Sequence, residues 1–151
     1  MKRSKRLMPV LELAESKEKQ TARILSESRQ KLEAAQRNLS SLIGFRDNYS
    51  AQFQRSGNAG LASRQLIEYR IFLAKINTAI ADQEKAVHAA QTELRKRQAE
   101  WEAARKHSLG IRRVFEQSLS EERRSDEKKQ QTEQDERAAR RSNGGILADF
   151  I

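Results

Sequence analysis

From Val10 to about residue 141 the chain has one cluster of helix-breaking residues, Ser56-Gly57-Asn58-Ala59-Gly60, and no proline follows Pro9. Pro and Gly cost a helix interior the most, so nothing else along this length forces a helix to stop. The chain therefore predicts an all-α fold, an antiparallel two-helix coiled-coil hairpin whose second helix is longer than its first. The expected boundaries are helix 9–55, turn 56–62 and helix 63 to about 141, one domain over 1–141 with a flexible tail over 142–151. Two helices folded at one turn leave no room for a conventional enzyme pocket, which points to mechanical or adhesive work.

Composition sets how much such a chain can bury. Charged residues make up 34% and apolar residues 36%, with a mean hydropathy of −0.89. That balance suits a narrow helix–helix seam rather than a thick core. Sustained helical periodicity argues against disorder, the other reading of so polar a chain. The chain has no cysteine, which excludes disulfides and thiolate metal sites. Lys2-Arg3-Ser4-Lys5-Arg6 is basic, but Leu7–Leu13 is interrupted by Pro9 and Glu12 and is too polar for a signal-peptide core. Nothing approaches the roughly 20 apolar residues that span a bilayer, so no integral membrane segment is expected and the cytoplasm is the expected compartment.

Pro9 suits the first position of a helix. A stripe in steps of three or four then runs through Val10, Leu13, Lys17, Thr21, Ile24, Ser28, Leu32, Ala35, Leu39, Leu42, Arg46, Tyr49 and Phe53. Its first part steps as an 11-residue repeat, which predicts straighter helices there than in the heptads that follow. Ser63 reads as the N-cap of the second helix. The second stripe is Leu66, Tyr69, Leu73, Ile76, Ile80, Gln83, Val87, Ala90, Leu94, Gln98, Trp101, Arg105, Ser108, Arg112, Phe115 and Leu119, with a stutter at 90-94-98.

If paired residue numbers sum to about 115, Tyr49 meets Leu66, Leu42 meets Leu73, and Trp101 covers Leu13 and Ala14. Beyond about residue 106 the second helix then has no partner, and 121–141, with seven basic and seven acidic residues, reads as a solvated helix or frayed tail. After Asn143-Gly144-Gly145, the Ile146–Ile151 peptide reads as a disordered end or a short docking segment.

The formal charge of +9 concentrates at Lys2, Arg3, Lys5 and Arg6 and again over 95–113, which holds seven basic residues against Glu100 and Glu102. The expected register joins these stretches into a basic pole suited to an acidic surface. No nucleic-acid-binding signature accompanies the charge, so no nucleic-acid partner is expected. Near the turn, Phe45 and Phe72 fall outside the stripes and predict a partly exposed apolar face for a partner. The two histidines, His88 and His107, lack metal-site spacing and no phosphate-binding glycine loop occurs. The reading is no enzyme, no catalytic residue, no metal and no cofactor.

Three stretches carry a family resemblance: Leu42-Ile43-Gly44-Phe45-Arg46-Asp47-Asn48-Tyr49, Gly57-Asn58-Ala59-Gly60-Leu61-Ala62-Ser63 and Ile67-Glu68-Tyr69-Arg70-Ile71-Phe72-Leu73. They resemble the flagellar export protein family FliJ, most strongly over roughly 38–84 and more weakly from about 7 to 140. The resemblance implies a component of the flagellar type III export apparatus, similar to the stalk (gamma) subunit of rotary ATPases. It implies that the protein sits in the flagellar export ATPase ring and promotes its assembly, contacts the export-gate membrane protein and handles export chaperones. It also implies a cytoplasmic protein peripherally associated with the inner membrane. The gate-binding face it implies is Asn38, Leu42, Phe45, Tyr49, Phe72, Ile76, Ala79 and Gln83, of which Asn38, Phe45 and Gln83 depart from the family pattern. The basic pole, taken as Lys2, Arg3, Lys5, Arg6, Arg105, Lys106, Arg112 and Arg113, would enter the ring. The alternatives are the equivalent stalk of an injectisome, a dimerising structural or chaperone coiled coil, and a basic nucleic-acid-associated helix.

Overall fold

The computed structural model describes residues 2–57 and 62–149, with side-chain surroundings through residue 144. Two helices pack against each other in antiparallel fashion, α1 (Arg3–Gly57) and α2 (Ser63–Asp149). Asn58-Ala59-Gly60-Leu61 of the expected turn lie outside the described residues. So do Phe150 and Ile151 of the terminal peptide.

Both helices outrun their expected bounds. α1 begins six residues before Pro9 and carries that proline inside it. An interior proline removes one intrahelical hydrogen bond, and the first turn is held from outside the helix instead. The Lys2 carbonyl accepts from the Arg6 amide at 3.3 Å, which makes Lys2 the N-cap. The Ser4 amide and hydroxyl both donate to the Glu122 carboxylate of α2, at 3.0 and 2.6 Å. At the other junction Gly57 remains helical and α2 starts at Ser63. Its N-cap is Ala62 rather than Ser63. The Ala62 carbonyl accepts from the Gln65 and Leu66 amides at 3.0 and 3.3 Å, and the Ala62 amide donates to Gln65 Oε1 at 3.2 Å. That return bond is the half of a capping box that Glu or Gln at the third helical position supplies. α2 then runs through Asn143-Gly144-Gly145 to Asp149, where the sequence suggests a breaker and a flexible tail.

The chain divides into two compact units, a terminal unit (1–18 with 104–151) and a central unit (19–103). In the central unit, Tyr49 stacks on Tyr69 and packs against Phe72, with ring centroids 5.6 and 4.1 Å apart. Gln83 Nε2 donates to the Ala35 carbonyl at 3.0 Å. Tyr49 thus meets residues one to two turns past the expected Leu66. The shift follows from the joint, because helices ending at Gly57 and starting at Ser63 are centred on residue 60, not between 57 and 58. In the terminal unit Ser108 donates to Glu18 at 2.5 Å, Arg112 pairs with Glu15, and Lys2 pairs with Asp126 at 3.0 Å. Partners for α2 therefore extend to Asp126, well beyond the expected limit near 106.

The buried and half-buried positions form one uninterrupted heptad seam on each helix. On α1 it passes through Ser4, Leu7, Leu11, Ala14, Glu18, Thr21, Leu25, Ser28, Leu32, Ala35, Leu39, Leu42 and Arg46. On α2 it passes through Tyr69, Leu73, Ile76, Ile80, Gln83, Val87, Ala90, Leu94, Arg97, Trp101, Ala104, Ser108, Ile111, Phe115, Ser118 and Glu122. Strict 3-4 spacing is the coiled-coil pattern, so neither the 11-residue repeat nor the stutter exists. Val10 and Leu13, read from the sequence as seam, are 47% and 73% exposed, whereas Leu11 and Ala14 are buried. Arg97 holds the seam position that the sequence stripe gave to Gln98, its guanidinium bound to Glu93 at 2.8 Å and Glu100 at 3.0 Å. Much of the seam is small or polar, with Ser4, Ser28, Ser108 and Ser118 all buried.

Candidate functional site: an aromatic face and a basic unit

The eight residues of the candidate gate-binding face all lie in the central unit. Asn38, Phe45, Phe72 and Ala79 each precede a seam residue and flank the seam on one side, while Leu42, Ile76 and Gln83 hold seam positions. Tyr49, 36% exposed, lies one step beyond Arg46, the last residue of the uninterrupted α1 seam. The Tyr49–Phe72 contact brings the flank of α2 against Tyr49 of α1. Phe45 is 68% exposed and Asn38 is exposed, while Leu42, Phe72, Ile76, Ala79 and Gln83 are half-buried. Gln83 spends its amide on the Ala35 carbonyl, so it acts first as a bolt between the helices. Phe53 stacks on Tyr69 at 3.7 Å, and the Tyr69 hydroxyl donates to Ser50 at 3.0 Å. The aromatic cluster is thus anchored between the helices, while Phe45, one turn before Tyr49 on α1, makes no ring contact among the described residues. Stacked rings of this kind add about 0.5–1.5 kcal/mol beyond their buried area. An open groove lined by Tyr49, Gln52, Phe53, Ser56, Gln65 and Glu68 adjoins the cluster.

The candidate ring-binding residues all lie in the terminal unit. They do not converge as the expected register has it. Lys2–Arg6 lie opposite Glu122 and Asp126, whereas Ser108 and Arg112 lie opposite Glu18 and Glu15. Two of the eight are neutralised locally. The Lys2 ammonium is held above its ordinary value by its hydrogen bond to Asp126, and the Arg112 guanidinium is raised by its hydrogen bond to Glu15. Arg3, Lys5, Arg6, Lys106 and Arg113 are exposed and make no ion pair among the described residues, whereas Arg105, also exposed, has an interaction of its own. Nor does the net charge favour this unit. It carries sixteen basic and twelve acidic side chains, against fourteen and nine in the central unit.

Sequence reasoning missed Glu122. Its carboxyl is held below the ordinary value of 4.5, first by the Ser4 hydroxyl and then by the Ser4 amide. A carboxylate at a helix N-terminus satisfies an orphan amide and opposes the helix dipole. The available signal was an acid at a seam position, which is costly unless a partner meets it. Among the described residues no group of acidic or histidine side chains could hold a metal ion, and no helix is long and apolar enough to cross a membrane.

In comparisons with known proteins, the model of the family described as flagellar FliJ protein matches residues 3–145. No curated protein and no solved structure matches the chain.

Proposed function

Since the chain belongs to the flagellar FliJ protein family, we propose that it serves flagellar protein export as a two-helix stalk between the export ATPase ring and the export gate. The exposed aromatic face carries this reading. Phe45 stands 68% exposed beside an anchored Tyr49–Phe72–Tyr69 cluster, a costly arrangement for a solvated surface and a suitable one for a partner. In this reading Phe45, Tyr49 and Phe72 bind the gate, with Asn38 and Ala79 at the edge of the contact and Leu42, Ile76 and Gln83 supporting it from the seam. Arg3, Lys5, Arg6, Lys106 and Arg113 supply the contact with the ring, while Lys2 and Arg112 hold the two helices together. Likeness to the rotary-ATPase gamma subunit, chaperone handling and a place at the inner membrane belong to the same proposal.

Coupling between ring and gate requires each partner to favour one of two states, so the partners are tested apart. The purified chain is mixed with the export ATPase while oligomeric state and ATP hydrolysis are followed together. Binding to the soluble part of the gate protein is measured separately. The proposal expects stoichiometric ring formation with stimulated hydrolysis, lost on charge reversal at Arg3, Arg6 and Arg113. It expects gate binding to be lost in Phe45→Ala. No ring formation and no stimulation would remove the stalk role.

A further inference from the structure

A second apolar surface lies in the terminal unit. Leu7, Lys106, His107, Gly110, Ile111 and Val114 line an open groove. Leu7 and Ile111 are seam positions, while His107, Gly110 and Val114 lie on one flank of α2. The equivalent flank of α1, each residue one before a seam position, holds Arg3, Arg6, Val10 and Leu13. In an antiparallel pair of helices the like flanks lie on the same side of the seam. Val10 at 47% and Leu13 at 73% exposure do not line the groove itself but follow Leu7 on the like flank of α1 and extend the apolar surface from it. The space above Gly110 is open, since a Cβ there would meet nothing within 4 Å.

The rim has a sign. Arg3 and Arg6 on α1 and Lys106 and Arg113 on α2 are exposed, and Glu121 is the acid on the same flank. Leu7–Leu13 and 106–114 each extend about 10–12 Å at 1.5 Å per residue, room for two turns of a third helix. A helix seated in such a groove presents apolar residues at i, i+3 or i+4 and i+7.

We propose that this groove docks a single amphipathic helix of a partner protein, its apolar stripe on Leu7, Val10, Leu13 and Val114 and its flanks acidic against Arg3, Arg6, Lys106 and Arg113. The apolar floor distinguishes this contact from a purely ionic one with the ring and does not rest on it.

The test uses the full chain and two fluorescent synthetic helical peptides of about 18 residues, stapled on their outer face. Both carry the same leucine stripe, one flanked by glutamates and the other by lysines. Fluorescence polarisation should show the glutamate peptide binding at least tenfold more tightly. Leu13→Ser and Gly110→Gln should each weaken it tenfold or more. Neither threatens folding, since Leu13 is exposed and glutamine at 110 enters open space and favours the helix. Circular dichroism melting of both variants should confirm this. Phe45→Ala should leave peptide binding unchanged. Equal binding of the two peptides, no binding of either, or affinity untouched by Leu13→Ser and Gly110→Gln would overturn the proposal. So would concentration-dependent dimerisation lost in the same variants, which would give the groove to a second copy of this chain.

Discussion

Leu11 and Leu13 sit two residues apart on one helix, and the structure gives them opposite fates. Leu11 is 7% exposed on the heptad seam, whereas Leu13 is 73% exposed on its flank. An 11-residue repeat through Val10 and Leu13 would reverse the assignment, so paired alanine substitutions separate the two. Leu→Ala at enclosed core sites costs about 2.7–5 kcal/mol, part of it from the cavity left behind. A two-helix seam can close on such a gap, so Leu11→Ala belongs below that range, at about 2 kcal/mol. At Leu13 little surface leaves water on folding, and alanine is the better helix former, so Leu13→Ala should fall within about 0.5 kcal/mol of the parent. The two chains match in composition and helix position, so effects on the unfolded state largely cancel. Urea unfolding followed by far-UV circular dichroism measures both. With a chain of this size, the Leu11 variant should also melt about 4–8 °C lower. Equal losses, or a larger loss at Leu13, would refute the heptad seam in the terminal unit.

Ser108, 2% exposed, donates to the half-buried Glu18 carboxylate. A double-mutant cycle with Ser108→Ala and Glu18→Ala should therefore show a coupling of about 1 kcal/mol, and strictly additive losses would remove the bond. The Glu122 carboxyl is depressed by Ser4, so its contribution is fully present above the ordinary carboxylate value and is lost as the pH falls through its lowered folded value. A spin label at Arg3 should mobilise on acidification below the ordinary carboxylate value, and Glu122→Gln should abolish that pH step while leaving the label mobile throughout. Lys2 has the opposite sign: its pKa is raised, so its link to Asp126 persists below the ordinary lysine value and loosens only at more alkaline pH. Phe45→Ala should leave the urea midpoint nearly unchanged and lower gate affinity at least tenfold, whereas a large loss of stability would mean that Phe45 is packed in the seam.

What could be read from the sequence and what could not divide along one physical line. The hairpin was legible because Gly and Pro punctuate strongly and the joint stands alone. The seam was legible wherever its residues are large and apolar, from Leu32 to Leu42 and from Tyr69 to Leu94. Toward both ends of the chain it filled with Ser4, Ala14, Glu18, Arg97, Ala104, Ser108, Ser118 and Glu122. There the stripe slid one position, taking Leu13 for Ala14, Lys17 for Glu18, Gln98 for Arg97, Arg105 for Ala104 and Arg112 for Ile111, although it held Ser108. Periodicity reads side-chain type, but what admits Arg97 or Glu122 to a seam is a partner three residues or more than a hundred away. No buried side-chain nitrogen or oxygen among the described residues lacks such a partner. The aromatic face was legible for the converse reason. Phe45 is too apolar for a solvated flank, and nothing in its own heptad asks for it. The seam leaves Val10, Leu13 and Phe45 outward, on its flank. Their positions follow from the seam residues beside them: fixing Ala14 and Ser4 inside is what turns Leu13 and Arg3 toward solvent.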